Sequence, residues 1–130
     1  MEFNISIGSV GKAEQTAKKE HCASVFASGA LEVFSTPFMI AVMEEASTYA
    51  IPLPKGYTTV GTKVDIEHLA ATPIGMKVTA IATITQVDRK RIVLKVEAYD
   101  ETGEIGRGTH ERFIVESEKF TQRAYAKLNK

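Results

Sequence analysis

The chain has 130 residues, 44% of them apolar and 25% charged, and its 16 basic and 16 acidic side chains cancel to a formal net charge of zero. That is enough for one compact domain, expected over residues 1–130, and it lacks the basic excess of a nucleic-acid binder. The lone Cys22 excludes an internal disulfide, and no apolar run approaches the roughly 20 residues of a membrane span.

The N-terminal "MEFNISIGSV" has neither the basic region nor the apolar stretch of a secretory signal, so a soluble cytoplasmic protein is expected. "FNISI" alternates apolar and polar residues and predicts a short first strand. Residues 8–30, rich in small and polar side chains, predict a covering loop with a helical turn near "AKKEHCASVF". The segment 36–51 predicts a helix, with Thr36 as N-cap and Pro37 at the first helical position. Phe38, Val42, Ala46 and Tyr49 share its apolar face with Met39, Met43 and Ala50, and Pro52 and Pro54 stop it.

After Gly56 the period changes from 3.6 to 2. In "YTTVGTKVDIEHLA" the alternation puts Val60, Val64 and Ile66 on one face, together with Thr62 and His68. "TPIG" is a turn, and "MKVTAIATITQV" aligns Val78, Ala80, Ala82 and Ile84. "DRKR" reverses the chain, "IVLKVEAY" aligns Ile92, Leu94, Val96 and Ala98, and "DETGE" is a hairpin turn. "IGRGTHERFIVES" is the last long strand, and "KFTQRAYAKL" closes the chain as a short amphipathic helix. Short turns between consecutive strands predict an antiparallel meander. The fold class is α+β: a curved antiparallel sheet of about five strands wrapped around one long central helix.

Few residues are placed for chemistry. Glu44 falls near Thr48, opposite the apolar stripe, which is the position of a solvated carboxylate. His68 lies on the apolar face of its strand near the strand end, and histidine titrates near neutral pH. His21 falls in the covering loop and reads as solvated; His110 shares a strand face with Arg112 and reads as structural. Thr36 is explained by capping, although the amides of a helix start also polarise a carbonyl. Gly61, inside a strand, marks a bulge or the close approach of a backbone or ligand. "IGRGTH" lacks the lysine and following helix of a phosphate loop, and no metal site, nucleophile elbow or dinucleotide fingerprint is present in the sequence.

Three blocks in order, "LEVFSTPFMIAVMEEAS", "VGTKVDIEHLAATPIGMKVTA" and "EIGRGTHERFIV", resemble the hotdog-fold thioesterases, in particular the branch related to fluoroacetyl-CoA thioesterase. The resemblance runs from about residue 28 to residue 120 and implies an acyl-CoA thioesterase without a resident cofactor, CoA being part of the substrate. It implies catalytic roles for Thr36, Glu44 and His68, the last in the H-x-A-x-T-P-x-G pattern of "HLAATPIG", and substrate contacts from Gly61 and Arg112. Glu44 would serve as general base on water or as nucleophile, while His68 passes the proton and Thr36 polarises the carbonyl. The branch lines its acyl pocket with aromatic residues from the segment before the helix. Here "VFASGALEV" offers only Phe26, so a small or medium acyl group is expected. The resemblance also implies a homodimer, or a tetramer built from one, with sheets joined edge to edge. Thr36 and Glu44, eight residues apart, would stand about 12 Å from each other along one helix, so completion of the site across two subunits is expected. The alternatives are a hotdog dehydratase or hydratase and a non-catalytic acyl-CoA binding or sensing protein.

Overall fold

The computed structural model describes residues 3–23 and 31–129. Its strands are β1 (Val10–Thr16), β2 (Tyr57–His68), β3 (Lys77–Asp88), β4 (Arg91–Tyr99) and β5 (Glu104–Glu116), with helices α1 (Thr36–Tyr49) and α2 (Ser117–Tyr125). All five strands form one antiparallel sheet in the order β1-β3-β4-β5-β2. The alternating residues Val78, Ala80, Ala82 and Ile84 of β3 and Ile92, Leu94, Val96 and Ala98 of β4 are buried on the inner face. Met39, Val42, Met43 and Ala46 of α1 complete the core against them. The expected sheet around one helix is present, but the helix is short, with 14 residues.

Several local expectations are corrected. The first strand is Val10–Thr16, inside the predicted loop, and "FNISI" forms no strand: Phe3 and Ile5 touch the core from an irregular segment. The inward residues of β1 are Gly11 and Ala13, which carry no hydrophobic signal. They are small because α1 lies directly on them. A Cβ at Gly11 would overlap the Ala46 carbonyl and stand 2.6 Å from the Ala50 nitrogen.

The meander holds only for β3, β4 and β5. β2 pairs with β5 at the far edge, so residues 69–76 are a crossing link rather than a hairpin turn. That link is tied down by the Leu69 N–H to the Ile105 carbonyl at 2.7 Å and the Gly75 N–H to the Ala17 carbonyl at 2.8 Å. β2 also changes face. Its register with β5 shifts between Gly61 and Lys63, making Thr62 the extra residue of a β-bulge. Val60 therefore pairs with Phe113, whereas Val64 pairs with His110 and His68 with Gly106, so Val60 and His68 do not share a face.

Tyr49 is exposed rather than in the helix stripe, its hydroxyl donating to Glu45 at 2.7 Å. The predicted turn near "AKKEHCASVF" is a 3-10 turn at Lys19–His21; Phe26 lies outside the described residues. The terminal helix forms but buries none of its residues. Among the described residues no helix is long and apolar enough to cross a membrane.

Candidate active site

The start of α1 differs from expectation in a way that matters for chemistry. Ser35, not Thr36, is the N-cap: it is fully buried, and its hydroxyl accepts from the Phe38 N–H at 3.2 Å. Thr36 is thereby free of capping, and its Oγ1 lies 2.6 Å from Nδ1 of His68 at the end of β2. The Met39 N–H donates to the Ser35 carbonyl, and Pro37 has no N–H. Of the first-turn amides, then, only that of Thr36 remains without a protein partner among the described residues, one donor rather than the expected set.

His68 presents its second nitrogen inward. Nε2 is buried with no partner among the described residues. Burial lowers the His68 pKa below its ordinary 6.5, against a smaller opposing pull from the Ala70 backbone. The ring is therefore neutral at pH 7, with one N–H and one bare nitrogen able to take up a proton.

Glu44 lies elsewhere on the helix and does not touch this pair. It is half-exposed rather than solvated, because the sheet curls far enough round α1 for β2 and β5 to reach the side opposite the core stripe. Its Oε2 is 3.5 Å from Nη1 of Arg112 and 3.9 Å from Nε2 of His110. Gly61 faces the same carboxylate: a Cβ there would stand 2.9 Å from Glu44 Oε2, 3.1 Å from His110 Cε1 and 3.4 Å from Arg112 Nη1. Arg112 is itself buried, donating from Nε to the Thr59 hydroxyl at 2.7 Å and from Nη2 to the Thr59 carbonyl at 2.8 Å. Burial lowers its pKa, and Glu44 counters by favouring the charged form.

The five predicted residues thus fall into two groups: Thr36 with His68, and Glu44 with Gly61 and Arg112. Thr59 and His110 belong to the second group, and sequence reasoning gives neither a role there. The signal for His110 was its parity with Arg112 along β5. His21 is buried, not solvated; its ring stacks on Phe38 with centroids 3.7 Å apart. No cluster of metal-binding side chains occurs among the described residues.

A curled five-stranded antiparallel sheet around one helix, with a carboxylate on the helix and a histidine on the edge strand, defines a hotdog domain of the thioesterase superfamily. The pattern of fluoroacetyl-CoA-specific thioesterases matches residues 17–118. The fluoroacetyl-CoA thioesterase of Streptantibioticus cattleyicolor is 41% identical over 98 residues, covering 74% of this chain and 70% of the relative. A solved variant of a fluoroacetyl-CoA-specific thioesterase in complex with fluoroacetate and CoA superposes with a TM-score of 0.84 at 33% identity, covering 89% of this chain and 99% of that one. A thioesterase superfamily member from Thermus thermophilus gives 0.86 at 29% identity, covering 96% and 93%. The chain belongs to the fluoroacetyl-CoA-specific thioesterase family, a family of thioester hydrolases.

Proposed function

We propose that the protein, a single domain, hydrolyses the thioester of a small or medium acyl-CoA to the free acid and CoA, with Thr36, Glu44 and His68 as catalytic residues and Gly61 and Arg112 contacting the acyl end. The observation that carries this reading is the 2.6 Å contact between Thr36 Oγ1 and His68 Nδ1, which leaves a buried, unpartnered Nε2 on a neutral ring. Such a ring can accept a proton from the attacking group and return it to the leaving sulfur. Glu44 supplies the carboxylate that activates water or attacks the carbonyl, and the Thr36 hydroxyl and amide are the donors offered to the developing oxyanion. Water adds across the C–S bond, its hydroxyl going to the acyl carbon and its proton to the CoA thiolate. No resident cofactor is required.

The separation of Glu44 from the Thr36–His68 pair supports a site completed by a second subunit. β2 supports the same reading, since it is a 12-residue edge strand with Val64 exposed. A homodimer joined along β2 is the arrangement proposed.

The test is free-thiol release from a panel of acyl-CoAs by wild type, Glu44→Ala and His68→Ala. Turnover by wild type that falls about 10²-fold or more in both variants is expected. Tight acyl-CoA binding without turnover would overturn the reading in favour of a binding or sensing protein.

A further inference from the structure

Among residues given no part in the reaction, His110 is the one whose bonding is most fully determined. It is 2% exposed and lies mid-strand on β5, between Arg112 and the bulge of β2. Its Nδ1 is 2.8 Å from the Lys63 carbonyl and its Nε2 is 3.1 Å from Nη1 of Arg112. A carbonyl only accepts and a guanidinium only donates. One arrangement satisfies both partners: a neutral ring with its proton on Nδ1 and a lone pair on Nε2. Lys63 is the first residue after the register shift, where the β2–β5 ladder is interrupted and a carbonyl can turn to a side chain.

Arg112 is held on its other sides by Thr59. The nitrogen that His110 holds, Nη1, is the one 3.5 Å from Glu44 and the one that a Cβ at Gly61 would approach. We infer that His110 is a positioning residue: as a neutral imidazole of fixed tautomer, it aims the Nη1 edge of Arg112 at Glu44 and at the space above Gly61. Its effect on turnover rests on the thioesterase reading; its bonding does not.

Protonation would undo this arrangement. A proton on Nε2 would turn the acceptor into a donor, set like charge against Arg112 and place a cation 3.9 Å from Glu44 Oε2. The groups bearing on the ring are Glu44 from α1, Arg112 and Glu111 from β5, and the Lys63 backbone from β2. Burial leads among these influences and keeps the ring neutral below its ordinary 6.5.

Two substitutions separate positioning from simple filling. The amide of His110→Gln reaches the place of Nε2 and can still accept from Arg112. The amide of His110→Asn reaches only the place of Nδ1, keeping the bond to Lys63 and losing the one to Arg112. A merely structural tie predicts Asn to be the better replacement; positioning predicts the reverse. The expected result is a kcat about 10²-fold lower for Asn with KM little changed, and a kcat for Gln within about fivefold of wild type. Nitrogen-15 NMR of the wild-type ring gives a readout independent of activity, with the Nδ1–H tautomer expected at pH 7. An Nε2–H tautomer, or kcat in the Asn variant equal to or above that of Gln, would overturn the inference. If wild type releases no thiol from any acyl-CoA the thioesterase reading fails, and the tautomer alone decides the case of His110. It decides likewise if neither variant folds.

Discussion

Ser35 and Thr36 are adjacent hydroxyl residues that divide the work at the start of α1. Ser35 closes the helix end and is buried; Thr36 faces His68. Their substitutions should separate cleanly. Ser35→Ala removes the cap and is expected to cost about 1 kcal/mol of stability, read from the urea midpoint. Thr36→Val should leave that midpoint near wild type while lowering kcat about 10²-fold, with Thr36→Ser restoring most of the activity. Equal losses of stability in the two variants would mean that the cap is shared. In the proposed reaction His68 would set the acid limb of turnover. Its folded pKa is lowered below 6.5, so the neutral ring persists under that value and is lost only as pH falls further. The kcat/KM profile should therefore rise through a point below pH 6.5 and be level by neutrality; an acid limb centred above 6.5 would remove His68 from the proton-transfer role.

At the level of elements, the contact of β1 with α1 fixes how closely helix and sheet approach. Gly11→Ala drives a methyl group into the helix backbone at Ala46 and Ala50 and is expected to cost about 3 kcal/mol, measured as a shift of the denaturation midpoint at unchanged slope. That approach also explains what could be read from the sequence. α1, β3 and β4 announce themselves because their apolar spacing matches the face they bury, whereas β5 buries His110 and Arg112 beside Ile114. β1 does not, because closeness rather than hydrophobicity selects Gly11 and Ala13. "FNISI" misleads because Phe3 and Ile5 meet the core without joining a ladder. The strand order is hidden for a related reason: "TPIG" has turn chemistry, but only long-range contacts tell a crossing link from a hairpin. A one-residue bulge leaves no mark in a run such as "TVGTKVDI", so strict alternation carries Val60 onto the face of His68, where the structure does not have it. Glu44 reads as solvated on the helix wheel because the wheel alone carries no information about how far a sheet curls.

For the whole molecule, acid sensitivity follows from three histidines. His21, His68 and His110 are all lowered from 6.5, burial being the largest cause in each. The unfolded chain therefore takes up these protons first as pH falls. Stability from this source is fully present above pH 6.5 and is lost as pH drops through the lower folded values. Melting temperature should be flat from pH 8 to about 6.5 and then decline, more steeply than in a variant in which His21 is replaced by phenylalanine. The strand order also bears on the sequence of assembly. The contacts that join the site span 32 residues between Thr36 and His68, 47 between Lys63 and His110 and 53 between Thr59 and Arg112. By contrast β3 and β4 close locally, Asp88 against Arg91. Because Thr59, Lys63 and His68 all lie on the edge strand β2, the site is complete only when that strand is docked on β5 and α1, and a molecule in which it lifts away loses the site. Association along β2, as proposed above, would latch the strand from its free side and tie turnover to protein concentration.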